Sequence, residues 1–253
     1  MTYSIVARDS STGMLGVAVA SRFFAVGAVC PHIRGGRGAV CTQAFVNPMW
    51  GIEGAVRLAA GEAAETVIAD LAARDEGEAQ RQAHMIDAAG RSAAHTGAAC
   101  IDWCGHLIGE GVSVAGNMLA GPEVIADALT AYEDGLDLPF AERLLRAMRA
   151  GEDAGGDKRG RQSACLVIHR DQDYPWLDIR ADDHADPLGE LERLLAVAGE
   201  RFLHVAEIMP TRERFSGQPE RSGIDAAIAE AEARRAAEGI PSASRASGPA
   251  PVR

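Results

Sequence analysis

Hydrophobic positions along the chain fall into short buried runs and longer stretches at helical spacing. Short apolar runs predict strands at Tyr3–Ala7 and Met14–Ala20, joined by a polar turn that ends at Gly13. A further strand is expected at residues 39–46, after a glycine-rich turn. Apolar residues recurring every three or four positions then predict two helices, over residues 51–60 and 63–74.

The rest of the chain repeats this arrangement of strands and paired helices. Further strands are predicted at 82–87, 91–97, 105–110, 112–118, 163–170 and 176–180. Further helices are predicted at 122–132, 139–150, 187–202 and 223–238. We expect a main domain over residues 1–202, a helical extension over 203–239, and a disordered tail over 240–253, which is rich in Pro, Ser, Ala and Gly.

The order of these elements predicts an α+β fold. Consecutive strands are joined by tight loops, so the sheets should be mainly antiparallel. The helices come in pairs and not between every two strands, which argues against a doubly wound parallel sheet. The pattern favours a four-layer αββα sandwich, with two sheets packed on each other and helices outside. Layer arguments alone leave a two-layer α+β fold open.

Composition and charge narrow the possible partners. Apolar residues make up 47% of the 253 residues and charged residues 24%, as in ordinary globular proteins. The net charge of −11 makes binding to nucleic acid or to an anionic membrane surface unfavourable. No run of 18 apolar residues and no signal-peptide pattern is found, so we expect a cytoplasmic protein. Five scattered cysteines without a CxxC pair fit reduced thiols.

Thr2 is the most informative single position. It follows Met1, and a small second residue permits removal of the methionine. Thr2 would then carry a free α-amine, whose ordinary pKa of about 7.7–8.0 lies near neutral pH. Such an amine can serve as the base for the hydroxyl of the same residue. One residue would supply both nucleophile and general base.

The residues around Thr2 resemble those of a known enzyme class. Thr2–Arg8, a turn, and Gly16–Arg22 together resemble the opening of N-terminal-nucleophile (Ntn) hydrolases such as proteasome β subunits. The resemblance is closer to a bacterial and archaeal Ntn-like family, domain of unknown function 1028. Its matching segments are Val19–Arg22, Ala25–Gly27, Thr42–Gln43, Asn47–Pro48, Ala94–Gly97, Gly116–Leu119, Arg159–Ser163 and Asp182–His184. The resemblance implies an Ntn-type αββα fold and mechanism class, without naming a reaction.

Further site residues follow from these segments. Asn117, at the end of a predicted strand, is a candidate hydrogen-bond donor to the oxyanion of the reaction, since several Ntn hydrolases use an asparagine amide in this way. The alternative is that Asn117 is a turn residue. Arg159 and Arg161 form a cationic cluster in an acidic chain and could hold a substrate carboxylate bidentately; the alternative is a solvated loop whose charges pair with nearby Asp residues. Arg22 and Gln43, within the resembling segments, complete the expected substrate-binding residues.

The function expected from these residues is hydrolysis of an amide bond in a small, acidic metabolite by a homodimeric enzyme. The alternative is a non-catalytic member of the same fold that binds a metabolite or serves as a scaffold. Ala20 favours this alternative, because proteasome subunits carry an aspartate there, and so does the lack of any lysine other than Lys158. His95, Cys100, Cys104 and His106 have spacings that could bind zinc, but buried core residues explain them better. We therefore expect no metal and no cofactor.

Overall fold

The computed structural model describes residues 2–246, which form one compact unit up to Leu191 and a second from Glu192. The strands are β1 (Thr2–Arg8), β2 (Leu15–Ser21), β3 (Pro31–Arg34), β4 (Gly38–Ala44), β5 (Arg81–Asp87), β6 (Ser92–Thr96), β7 (Gly105–Gly109), β8 (Val112–Asn117), β9 (Ser163–His169) and β10 (Leu177–Ala181). The helices are α1 (Pro48–Ala59), α2 (Ala64–Arg74), α3 (Glu123–Glu133), α4 (Phe140–Asp153), α5 (Pro187–Val197), α6 (Leu203–Ala206) and α7 (Ser222–Ala237).

The strands form two antiparallel sheets, as the tight loops predict. The six-stranded sheet has the order β10-β9-β2-β1-β8-β7, and the four-stranded sheet the order β3-β4-β5-β6. Strand β1 therefore lies inside the larger sheet, paired with β2 on one side and β8 on the other. The α+β class is confirmed.

The side chains of β1 point alternately to two different neighbours. Tyr3 faces the helices, where its hydroxyl donates to the Met148 carbonyl of α4 at 3.0 Å and to Glu152 Oε2 at 2.9 Å. Ser4 faces the four-stranded sheet and donates to Gln43 Oε1 of β4 at 2.6 Å. Val6 belongs to an apolar cluster with Ala39 and other residues of both sheets. Because both faces of β1 are buried, its sequence does not alternate between buried and exposed positions, and its polar residues Thr2 and Ser4 are buried with the apolar ones.

Helices cover the outer face of each sheet. Residues of α1 and α2, including Trp50, Leu58 and Leu71, form an apolar cluster with Val40 and Met85 of the four-stranded sheet. Helix α4 packs on the six-stranded sheet so closely that a Cβ at Gly16 of β2 would lie 2.6 Å from Leu144. The contacts thus run from α1 and α2, through the two sheets, to α4.

The structure differs from the elements predicted from sequence in three notable places. Strand β3 was not expected, since it has only four residues, begins with Pro31 and is half-buried throughout. Helix α1 begins at Pro48 and not at residue 51, because Asn47 caps it by accepting a hydrogen bond from Met49 N. The helix expected over 187–202 changes at Ala198 into a π-helical turn that ends at Phe202.

The second unit contains the end of α5, the turn that follows it, and helices α6 and α7. Glu200 accepts hydrogen bonds from Ser242 Oγ and Ala243 N, which fixes the chain that follows α7. Residues 240–246 of the expected disordered tail are described and form no helix or strand, and the rest of that tail lies outside the described residues. No helix between residues 2 and 246 is both long and apolar enough to cross a membrane.

Candidate functional site

A row of polar side chains crosses the six-stranded sheet at the start of β1. Thr2 pairs with Asn117 of β8, and Ser21 of β2 pairs with Ser163 of β9. The hydroxyls of Thr2 and Ser21 lie 3.2 Å apart. All four side chains are buried, and Thr2 is 5% exposed. Because residues two apart on a strand share a face, this row lies on the same side as Ser4, towards the four-stranded sheet.

A chain of buried hydrogen bonds connects the two sheets behind this row. The Ser4 hydroxyl donates its one proton to Gln43 Oε1, so His84 Nε2, 2.8 Å from Ser4 Oγ, must be the donor in that contact. His84 Nδ1 then accepts from Ser113 Oγ at 3.0 Å. Gln43 Nε2 continues the chain to Gln82 Oε1 at 2.8 Å. With the proton of His84 on Nε2, every polar side-chain atom of Ser4 and His84 has a hydrogen-bond partner.

Gln82 carries the chain to Asn117. Gln82 Nε2 donates to the Gly116 carbonyl at 2.8 Å, and Gln82 Oε1 accepts from Asn117 Nδ2 at 2.9 Å. The other contact of the Asn117 amide is to the Thr2 carbonyl at 3.5 Å, which is long for a hydrogen bond. Asn117 is therefore held firmly by one amide proton and weakly by the other.

A cavity of about 220 Å³ opens beside Thr2. Its lining is formed by Thr2, Phe23, Val26, Val29, Cys30, Gln43, Ala44, Phe45 and Val46. None of these side chains is charged, and Phe23 and Phe45 are the exposed ones at 55% and 67%. Thr2 and Gln43 thus supply the polar groups of an otherwise apolar cavity.

Left-handed backbone is concentrated around this cavity. Among the described residues, the non-glycine residues with positive φ are Ala25 (50°), Ala44 (67°) and Met118 (53°). Ala44 lines the cavity, Ala25 precedes the lining residue Val26, and Met118 follows Asn117. Such conformations are strained for residues with a Cβ and are found most often at functional sites. Their grouping marks the Thr2 cavity as the candidate functional site.

The cavity wall at Phe45 is held by a charged cluster. Arg81 Nη1 donates to the Phe45 carbonyl at 2.6 Å, and its guanidinium lies 5.1 Å from the centre of the Phe45 ring. Asp75 in turn accepts from Arg81 Nε at 3.0 Å, Asn47 Nδ2 at 2.9 Å and Trp50 Nε1 at 2.8 Å. On the other side, Ser163 Oγ accepts from Val26 N at 3.1 Å.

The three arginines expected to bind substrate lie outside the lining of this cavity. Arg22 N donates to the buried Asp157 Oδ2 at 2.7 Å, and Arg159 Nη2 contacts the same oxygen at 3.4 Å. Arg22 Nη1 and Arg159 also bond to each other's main-chain carbonyls. Arg22 directly follows Ser21 of the Thr2 row, and Arg159 is connected to that row through its hydrogen bonds with Arg22.

Arg161 is connected to β1 by a different route. Its Nε lies 2.9 Å from Glu152 Oε1, and the other oxygen of Glu152 accepts from the Tyr3 hydroxyl. Arg161 Nη1 also lies 3.6 Å from Asp186. Thr2, Gln43 and Asn117 are therefore brought together, whereas Arg22, which follows β2, and Arg159 and Arg161, which lie between α4 and β9, are outside the lining of the cavity.

Other chemically active residues have structural partners. Hydrogen bonding to Cys41 and burial raise the pKa of the Cys30 thiol well above its ordinary range, so this cavity residue stays protonated and is a poor nucleophile. Lys158 donates to the Asp102 carbonyl at 2.7 Å. His95 contacts the Glu78 carbonyl, and His106 the Thr96 hydroxyl. Between residues 2 and 246, no group of three or more His, Cys, Asp or Glu side chains is arranged to hold a metal ion.

Sequence reasoning missed the walls of the cavity and the chain of hydrogen bonds behind Thr2. Phe23 and Phe45 come from separate loops, so no local pattern brings them together. Ser4, Gln82 and His84 carried a usable signal: each is a polar residue inside a predicted strand whose other residues are mostly apolar. Buried polar groups of this kind are paired, so they indicate an internal network.

The fold and the cavity define an α+β protein with a buried threonine at the start of its central strand. The chain belongs to a family of unknown function (DUF1028), whose model matches residues 2–191. It is similar to the crystal structure of protein SPO2555 from Silicibacter pomeroyi, also a DUF1028 protein, with 29% identity, a TM-score of 0.80, and coverage of 87% of this chain and 99% of that one.

A second solved structure is much less similar. Anbu (ancestral beta-subunit) from Yersinia bercovieri matches with 12% identity and a TM-score of 0.38, over 83% of this chain and 98% of that one. No curated protein matches the chain.

The Asp75 cluster predicts how stability depends on pH. Hydrogen bonds from Arg81 above all, and from Asn47, Gly77 N and Trp50, hold the pKa of Asp75 well below its ordinary value despite desolvation. The stabilisation is therefore present above the unfolded pKa of about 4 and is lost as pH falls further. Replacing Asp75 by Asn should cost about 1–3 kcal/mol at pH 7.

Denaturant unfolding between pH 7 and pH 2 measures this effect. The difference between wild type and Asp75→Asn should shrink as pH falls below about 4. Asp137→Asn, in the exposed turn between α3 and α4, is the matched control and should leave stability unchanged at pH 7. A gap between wild type and Asp75→Asn that stays constant over the whole range would contradict this account of Asp75.

Proposed function

We propose that the protein is an N-terminal-nucleophile amide hydrolase with the αββα architecture of that class. The observation that carries the proposal is the place of Thr2. It is the first residue of a central strand, it is buried, and its hydroxyl-bearing side chain lies in the wall of a cavity. The grouping of strained backbone around the same cavity supports the proposal.

In the proposed mechanism, Thr2 acts after removal of Met1. The free α-amine takes the hydroxyl proton as Oγ1 attacks the amide carbonyl. The amine then gives that proton to the leaving nitrogen as the carbon–nitrogen bond breaks, which leaves an ester on Thr2. Water hydrolyses the ester with the same amine as base and restores the hydroxyl. The contact of Thr2 Oγ1 with Ser21 Oγ would orient the nucleophile.

Two amide side chains are proposed to bind the carbonyl oxygen of the substrate. Asn117 can give up its weak 3.5 Å contact with the Thr2 carbonyl and donate a hydrogen bond to the oxyanion instead. Its hydrogen bond to Gln82 keeps the side chain in place. Gln43 uses one amide proton on Gln82, and its second has no acceptor among residues 2–246. Because Gln43 lines the cavity with Thr2, that proton can serve the substrate. One such donor contributes about 3–4 kcal/mol in acyl transfer.

The proposed substrate has an apolar acyl group and an acidic remainder. The uncharged lining formed by Val26, Val29 and Phe45 suits a small apolar acyl group next to Thr2. Arg22, together with Arg159 and Arg161 of the α4–β9 loop, would hold a carboxylate on the other side of the scissile bond. The expected homo-oligomer and cytoplasmic location stay predictions.

A non-catalytic role is the second candidate, in which the cavity binds a metabolite without turnover. Ala20 does not separate the two candidates, because its side chain lies on the face of β2 opposite to Thr2 and a carboxylate at this position would point away from the cavity. Lys158 favours the non-catalytic role, because its ammonium is bound to the Asp102 carbonyl. The two candidates differ in whether Thr2 reacts covalently.

Covalent trapping of Thr2 tests the proposed nucleophile. Incubation with a small apolar β-lactone should add one acyl group to the wild-type protein, and peptide mass spectrometry should place it on Thr2. The Thr2→Ala variant should not react, and Thr2→Ser should react, since serine keeps the hydroxyl and the amine. Thr2→Ala removes a buried hydroxyl that contacts Ser21 Oγ, so stability should fall by about 0.5–1.5 kcal/mol.

Thr211→Ala, a threonine of the second unit, is the control and should label like wild type. Equal labelling of Thr2→Ala and wild type would refute the nucleophile. A β-lactone is used because its ring strain makes it react without the need for the natural leaving group.

The arginine cluster is tested with paired substrates. N-acyl amino acids and the matching neutral N-acyl amines differ only in the carboxylate that the cluster is proposed to hold. Arg161→Lys should lower kcat/KM for the acids by about tenfold or more, because lysine keeps the charge but loses the planar two-donor group. Turnover of the neutral amides should not change.

Arg37→Lys, in the turn between β3 and β4, provides the control for this exchange. Arg161 would have no part in substrate binding if Arg161→Lys and Arg37→Lys gave the same ratio of acid to amide turnover as wild type. An unchanged ratio would leave Arg161 as the ion-pair partner of Glu152.

A further inference from the structure

A second cavity lies at the opposite end of β1 from Thr2. It has a volume of about 500 Å³. Arg8, the last residue of β1, lines it together with Gly111 from the β7–β8 turn, Tyr132 of α3 and Arg143 of α4. Six residue steps of an extended strand separate Arg8 from Thr2, a distance of about 20 Å. The two cavities are therefore separate sites.

Arg143 places a buried positive charge in this cavity. The residue is 7% exposed, and a guanidinium remains charged at any physiological pH. Its Nε donates to the Tyr132 carbonyl at 2.7 Å, and the guanidinium lies 3.7 Å from the centre of the Tyr132 ring. These contacts position the group without neutralising it. No carboxylate lies within ion-pair distance of Arg143 in the part of the chain that the structure describes.

The Tyr132 hydroxyl adds an unused hydrogen-bond donor. The side chain is 1% exposed, and its hydroxyl oxygen has no hydrogen-bond partner among residues 2–246. Buried polar groups are nearly always paired, so an orphaned hydroxyl in a cavity wall points to a bound group. Burial raises the pKa of Tyr132 to about 12, and the hydroxyl therefore stays protonated and able to donate.

Arg8 and two glutamates define the charge pattern of the cavity. Arg8 is a second guanidinium in the lining, and no ion pair involves it within residues 2–246. Glu110 and Glu133, both exposed, also contribute to the lining. Two arginines attract an acidic group, while the two carboxylates repel a large polyanion. The cavity therefore suits a small molecule with a single acidic group.

We propose that this cavity binds a small organic anion, whose carboxylate or phosphate group pairs with Arg143 and Arg8 and accepts a hydrogen bond from the Tyr132 hydroxyl. The site does not depend on Thr2 or on any turnover. An anion here neutralises the buried guanidinium and satisfies the orphaned hydroxyl at once.

Calorimetric titration of the full chain with acetate, L-alanine and inorganic phosphate at constant ionic strength tests the proposal. At least one of these probes should bind with a Kd below about 10 mM. Acetate and L-alanine report a carboxylate source and inorganic phosphate a phosphate source. L-alanine carries an ammonium group that acetate lacks. Tighter binding of L-alanine than of acetate would therefore indicate that Glu110 and Glu133 contact this ammonium group. Thr2→Ala should bind like wild type, so a failed nucleophile would not affect this result.

Two variants identify the site. Arg8→Gln should weaken binding of the active probe by about tenfold, the loss expected for one charge-assisted hydrogen bond. Tyr132→Phe should weaken it by about fivefold or more. Tyr132→Phe should not lower the melting temperature of the probe-free protein, because the hydroxyl has no protein partner to lose. Absence of binding for all three probes, or unchanged affinity in both variants, would overturn the proposal.

Discussion

The central position of β1, buried on both faces and paired on both edges, is the constraint on which the rest of the structure depends. Its two neighbours fix its register, and its side chains contact helix α4 on one side and the second sheet on the other. A one-residue slip would move every side chain of β1 to the opposite face. The place of Thr2 at the cavity therefore follows from the packing of the whole strand.

Polar and apolar groups share the space between the sheets. Val6 and Ala39 belong to an apolar cluster that extends to Val26 in the wall of the Thr2 cavity. Ser4, Gln43 and Gln82 form a hydrogen-bonded chain next to the same cavity. These hydrogen bonds position the buried polar side chains, while the contact of Asn117 with the Thr2 carbonyl is weak enough to exchange.

Much of the fold could be predicted because strands in this chain are apolar runs bounded by glycine turns. That pattern placed β1, β2 and the hairpin of β7 and β8 within about two residues. It failed for β3, whose four residues are too few to show a period. The start of α1 depended on a cap at Asn47, a side-chain contact that periodicity does not detect.

The candidate site could be predicted only in part. Thr2 and Asn117 lie on strands, where a sequence position implies a place in the sheet. The walls of the cavity depend on loops whose contacts are non-local, such as Arg81 with Phe45 and Ser163 with Val26. The arginines show the same limit: their charges are evident in the sequence, whereas their pairing with Asp157 and Glu152 depends on the tertiary fold.

The proposed role of Thr2 requires a free α-amine, so Met1 must be removed from the mature protein. The intact mass of the protein purified from its native host should therefore lack one methionine residue, and N-terminal sequencing should begin at Thr2. A protein that keeps Met1 has no free amine on Thr2, and that result would rule out the proposed mechanism.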